Sequence, residues 1–158
     1  MPAEHDRIPV GIYWDPQLWD EARAAFVSDL KHDPDPAPAF IVWLHRALEA
    51  HVARGPQGRA GLGIERPEAR APGQGQGKSR MSPLGPGTLQ RVDDAVAADF
   101  DQLDRLGGRS AFVQEAVSAA VEAARARRSD RTLPPAPKRL SNNPHRHRPL
   151  RRSRQAVP

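Results

Sequence analysis

The sequence predicts a mainly α-helical chain: two small modules of one plan in tandem, joined by a flexible linker and followed by a disordered basic tail. Three observations carry this. Gly107-Gly108-Arg109-Ser110 interrupts one helical pattern and opens another, in which Phe112, Val113, Ala116, Val117, Ala120 and Val121 make a single apolar face. Near the N-terminus a strand-like alternation is followed by two helical patterns. The 17 prolines and 12 glycines cluster between and after these patterned regions, where too little apolar surface is left to offset the entropy of ordering.

Arg7 to Trp14 alternates, with Ile8, Val10, Ile12 and Trp14 on one face and Arg7, Pro9, Gly11 and Tyr13 on the other. A period of two is a strand with one buried face. Pro9 has no N–H to donate and suits an edge or a two-stranded ribbon. Asp15-Pro16 reads as a helix start, a capping carboxylate followed by proline at the first helical position. Leu18, Trp19, Ala22, Phe26, Val27 and Leu30 follow on one face, and the helix ends before Asp33-Pro34-Asp35-Pro36-Ala37-Pro38. A second helix runs from about Ala39 to Arg54, with Phe40, Ile41, Leu44, Leu48 and Val52 at its apolar positions. Residues 7–54 therefore read strand, helix, turn, helix.

Residues 55–87 read as a linker, with Gly-Pro, Arg-Pro and Gly-Gln-Gly-Gln-Gly sequences and the aliphatic pair Leu62 and Ile64. In residues 88–128, Leu89, Val92, Val96, Phe100, Leu103 and Leu106 recur at threes and fours. That is a helix ending at Gly107-Gly108, after which Ser110 can cap a second helix reaching about Arg128. Thr88 to Val92 can also be read as a short strand with Asp93 as the cap. The pattern stays in phase back to Leu89, which favours the helix. The second module then either lacks a clean strand or uses Arg80-Met81-Ser82. Residues 129–158 are proline-rich and basic, with no apolar period.

The Gly107–Val117 run resembles the opening of the second helix in ribbon-helix-helix DNA-binding domains of the Arc/MetJ/CopG type. The Ile12-Tyr13-Trp14-Asp15 junction followed by Leu18 resembles their strand-to-helix transition. The resemblance implies that two strands pair as an antiparallel ribbon that enters the DNA major groove, with outward side chains reading base edges. A lone strand cannot form that ribbon, so a homodimer is expected, and small cores of this kind are commonly stabilised by oligomerisation. The Arg/Ala/Pro-rich composition and tandem layout look like small actinobacterial plasmid-partition proteins. These are ParB-like proteins that bind centromere repeats while a flexible arm engages a ParA-type ATPase.

Charge and composition limit the alternatives. The net charge is +5, but residues 129–158 hold eight basic side chains against Asp130, which leaves the remainder slightly acidic at −2. DNA contacts by the folded part must therefore be local rather than a matter of bulk charge. With no cysteine, disulfides, thiolate catalysis and Cys-based zinc sites are excluded. No apolar run approaches the ~20 residues that span a bilayer, and Met1 to Arg7 lacks a signal-peptide core. A cytoplasmic protein, associated with nucleoid or plasmid, is expected. No nucleophile–base set, Walker loop or paired-carboxylate spacing stands out, so no enzyme activity, cofactor or small-molecule substrate is expected.

The candidate sites are three. On the ribbon face, Arg7, Pro9, Gly11 and Tyr13 map onto base-reading positions, although proline and glycine offer no side-chain hydrogen bond. At the N-terminus of the second module's last helix, Arg109 and Ser110 are placed to bind phosphate. In the tail, Arg146, Arg148, Arg151, Arg152 and Arg154 form a basic arm for DNA or a protein partner. His45 and His51, six apart, do not share a helix face for chelation and are read as surface or core-edge residues, and no metal site is expected. The three tryptophans are read as core. The leading function is a sequence-specific DNA-binding protein acting in partition or autorepression. The alternative is an antitoxin or interaction adaptor whose tail folds on a protein partner, and a structural nucleoid protein comes third.

Overall fold

The computed structural model describes residues 6–66 and 77–140. Seven elements follow in order: β1 (Ile8–Trp14), α1 (Pro16–His32), α2 (Phe40–Ala53), α3 (Gly55–Ala60), β2 (Lys78–Leu84), α4 (Pro86–Leu103) and α5 (Arg109–Ala126). The chain is mainly helical, and its one sheet among the described residues is the antiparallel pair β1–β2, in which Gly11 lies opposite Met81 and Trp14 opposite Lys78.

The first half follows its local signals closely. Val10, Ile12 and Trp14 are buried, as the alternation of β1 requires. An Asp15 side-chain oxygen accepts the Leu18 backbone N–H at 3.0 Å, and Pro16 stands at the first helical position. In the second half, Gly85-Pro86 takes the place of Asp15-Pro16, so α4 begins two residues before Thr88 and the strand lies upstream of it. The strand alternative for Thr88–Val92 is thereby set aside in favour of the helix.

Three expectations need correction. The stretch read as a linker contains α3 and β2. Of the two alternatives for the second module's strand, the one that uses Arg80-Met81-Ser82 holds, and β2 extends it to Lys78–Leu84; its alternation is faint because the side it shares with Ile12 and Trp14 carries the exposed Arg80 and Lys78, and only Ser82 and Leu84 are buried. Next, α4 stops at Leu103, where Asp104 adopts left-handed φ of 54°, rather than at the glycine pair. Phe100 and Leu106, expected on the core face, are exposed. Finally, the tail read as disordered from residue 129 lies against the helices as far as Leu140. Leu133 and Leu140 pack on the core, and Arg23 Nη1 donates to the Pro137 carbonyl at 2.5 Å.

The halves share one core. α5 packs on α1 and α2, and α2 also packs on α4. Phe26, Leu44, Leu48, Val92, Phe112, Val113 and Val117 are buried together. Each half also reaches an arginine from beyond its second helix to a buried aspartate on the other half's first helix. Arg59 pairs with Asp99 (Nη2 to Oδ1, 2.6 Å) and Arg127 with Asp29 (Nη1 to Oδ1, 2.8 Å). Asp29 also accepts the Trp43 indole N–H at 2.9 Å.

The richest polar cluster sits where α2, α3, α4 and α5 meet. Arg59 donates both to Asp99 and to the carbonyls of His51 and Val52. Arg66 bridges Asp99 and Glu115, and Arg105 adds a 2.6 Å bond to Glu115. His51 Nε2 lies 2.7 Å from Glu115 Oε1. These partners outweigh burial and pull the Glu115 carboxyl down to about 2. Without its partners, a buried carboxylate would shift upward instead.

Candidate nucleic-acid interface

The candidate ribbon is completed within one chain. The expectation of a homodimer rested on two chains each lending a strand, and that requirement is absent here because β2 supplies the second strand.

Residues directly opposite in an antiparallel pair share a face. The outward face therefore carries Pro9, Gly11 and Tyr13 from β1, set against Pro83, Met81 and Ser79 from β2. Met81 is 66% exposed at its centre. Hydrogen-bonding capacity on this face comes to the Ser79 and Tyr13 hydroxyls, and the Tyr13 hydroxyl already accepts the Gly77 N–H at 2.8 Å. A Cβ on Gly77 would fall 2.2 Å from the Tyr13 ring, so glycine is what lets that ring close over the strand end. Arg7 precedes β1, is half-buried, and lies within electrostatic reach of His45.

The ribbon is tied to the helix starts. Ser110 Oγ accepts the Tyr13 backbone N–H at 3.1 Å, and Gln114 Oε1 accepts that of Asp15 at 3.4 Å. Ser110 therefore does not cap α5. Gly108 occupies the cap position with no side-chain bond, which leaves the first N–H groups of α5 without that partner. In the other half Ile41 and Pro83 replace Ser110 and Tyr13, so neither donor nor acceptor is present there. The second tie is kept, with His45 Nε2 accepting the Gly85 N–H at 2.9 Å.

That bond, with His45 Nδ1 donating to the Ile41 carbonyl at 2.7 Å, requires the neutral Nδ1–H ring. Burial lowers the His45 pKa accordingly. His51 is neutral too: Nε2–H faces Glu115, Nδ1 accepts from Arg54 at 2.9 Å, and burial is the main cause of its lowered pKa. Both histidines, read from sequence as surface or core-edge, are buried structural groups. At 3.6 residues per turn, positions six apart point to different sides of a helix, and here each ring serves a different strand or helix.

At the start of α5, Arg109 grips Asp93 with its guanidinium fork, Nε to Oδ1 at 3.0 Å and Nη2 to Oδ2 at 2.9 Å. Both side chains are about two-fifths exposed, so a phosphate at this helix start would compete with Asp93. The start of α2 has Ala39 at its cap and no arginine in its first turn, with Asp33 and Asp35 just before it. Sequence reasoning gave no role to two cations of the ribbon, Lys78 and Arg80: it offered Arg80-Met81-Ser82 only as one alternative for the strand and left Lys78 in the linker. Arg146, Arg148, Arg151, Arg152 and Arg154 lie outside the described residues. Among the described residues no helix is long and apolar enough to cross a membrane. Compared with known protein families, with curated proteins and with solved structures, the chain matches none.

Proposed function

We propose that this chain is a DNA-binding protein in which two tandem ribbon-helix-helix-like modules make one intramolecular ribbon. The single observation that carries the reading is the antiparallel β1–β2 pair with α2 and α5 starting beside it. Such a ribbon fits the major groove, and the free first-turn N–H groups of α5, with Arg109, suit a backbone phosphate. The two sides of the ribbon differ, so the preferred site is not a palindrome. Base contact through Met81 and the Pro and Tyr side chains favours thymine methyl groups over donor–acceptor reading. Partition or autorepression, a ParA-type ATPase engaged by the arginines of the tail, and nucleoid or plasmid association are parts of this proposal. A homodimer is also part of it, through a surface other than the ribbon; concentration-independent monomeric sedimentation would remove it.

The test is footprinting of the tagged protein, followed by gel shift of the best site with Met81→Glu. Met81 is exposed, so a charge there leaves the fold intact while placing an anion against DNA. Affinity should fall at least about tenfold. Unchanged binding would exclude the ribbon as the interface. Deleting residues 129–158 without loss of ATPase stimulation would remove the ATPase reading. The scarcity of hydrogen-bonding groups on the ribbon favours a second reading, an adaptor or antitoxin that presents Met81, Pro9 and Pro83 to a protein.

A further inference from the structure

Beside the end of the ribbon lies a cavity of about 610 Å³ that the DNA reading does not use. That is within the size range of small-molecule sites. Its walls combine Trp14, Trp19 and Phe40, whose rings meet edge to face at 5.0 Å (Trp14–Trp19) and 5.6 Å (Trp19–Phe40). Its rim is cationic: Lys78 and Arg80 from β2, Arg23 from α1, and Lys138 and Arg139 from the C-terminal segment. Asp20 is the one carboxylate of the lining, and it is paired with Arg23.

Two donors in the cavity wall are enclosed and unpaired. Trp14 is 1% exposed, yet its indole N–H has no hydrogen-bond partner among the described residues, and neither does Arg23 Nε. Buried donors are nearly always satisfied. The remaining Arg23 donors are engaged, with Nη1 on the Pro137 carbonyl and Nη2 on Asp20, which fixes this side chain in the wall. The Arg80 guanidinium sits over the Trp19 ring, 4.4 Å from its centroid. Guanidinium planes and indole faces both stack on planar rings.

We infer that this cavity binds a nucleoside phosphate, a planar ring against the Trp14–Trp19–Phe40 wall with its phosphate on Lys78, Arg80 and the Lys138–Arg139 rim. The ring stacks on the half-buried Trp19 and Phe40 with the enclosed Trp14 behind them, and the phosphate supplies the negative charge that the rim lacks. An uncharged aromatic would leave four cations, Lys78, Arg80, Lys138 and Arg139, unanswered, and a bare anion would leave the aromatic wall empty. The inference is independent of the DNA reading, since it needs neither the outward ribbon face nor the start of α5.

The test uses the full chain labelled with ¹⁵N and titrated with adenosine 5′-monophosphate, without DNA. The indole N–H resonance of Trp14 should shift saturably, while that of Trp43, already bonded to Asp29, stays in place. Adenosine alone and inorganic phosphate alone should each bind at least about tenfold more weakly. Lys78→Ala and Arg80→Ala, both at exposed positions, should each weaken binding by a similar factor while preserving the rest of the spectrum. The proposal is overturned if Trp14 does not move at about 5 mM nucleotide. It is equally overturned if inorganic phosphate reproduces the full effect, or if neither substitution alters it.

Discussion

Replacing Asp99 by alanine tests how the two halves are held together. Asp99 is fully buried on α4 and receives Arg59 from α3 through Nε and Nη2, at 3.1 and 2.6 Å, together with Arg66. Counting Arg59, Arg66 and Arg105 against Asp99 and Glu115, with His51 neutral, the cluster carries one excess positive charge. The substitution doubles that excess in a region where Arg59 is only 1% exposed. Removing one partner of a buried pair costs about 3–5 kcal/mol, because the other charge stays desolvated. A domain of this kind has about 5–15 kcal/mol in all, so the loss is a large fraction of the total. Urea unfolding followed by tryptophan fluorescence should show a lower midpoint at unchanged m-value. The double variant Arg59→Met with Asp99→Leu removes one charge of each sign and should recover part of the loss. Recovery is incomplete, since the His51 and Val52 carbonyls then lose their donor at about 1–3 kcal/mol. A loss under about 1 kcal/mol for Asp99→Ala, or a double variant no better than the single, would refute this account of the cluster.

Three further outcomes follow from the same contacts. His45 and His51 have folded-state pKa values below 6.5, so the unfolded chain binds more protons there; stability is full above about pH 6.5 and falls as pH drops below it, while Glu115, held near 2, stays ionised. Urea midpoints at pH 8 and pH 5.5 check this, and equal midpoints would contradict it. Gly77→Ala should cost about 1 kcal/mol by expelling the Tyr13 ring and breaking its hydrogen bond, and should be nearly neutral in a Tyr13→Ala background. Truncation after Leu140 removes five arginines and should flatten the log K against log salt slope for DNA by about 4, whereas an unchanged slope means that the tail does not touch DNA.

The four long helices and β1 were legible in the sequence because their signals are local, whereas the short α3 fell in the stretch read as a linker. Asp15-Pro16, the proline run after His32 and the apolar spacings of α2 and α5 act within a turn or two of chain. The mainly helical class followed from them. The tertiary structure alone decided between no second strand and one at Arg80-Met81-Ser82, that the ribbon closes inside one chain, and that Ser110 holds Tyr13 instead of capping its helix. A strand whose positions opposite Trp14, Ile12 and Val10 are Lys78, Arg80 and Ser82 is defined by the backbone of its partner, and its periodicity is faint. The same holds for Arg59, Arg66, Asp99 and Glu115, which look like surface charges along the chain and become a buried network only when four elements converge. Conversely, Phe100 on α4 and Leu106 just beyond it match a helical face in sequence and remain exposed, because none of the described elements covers them.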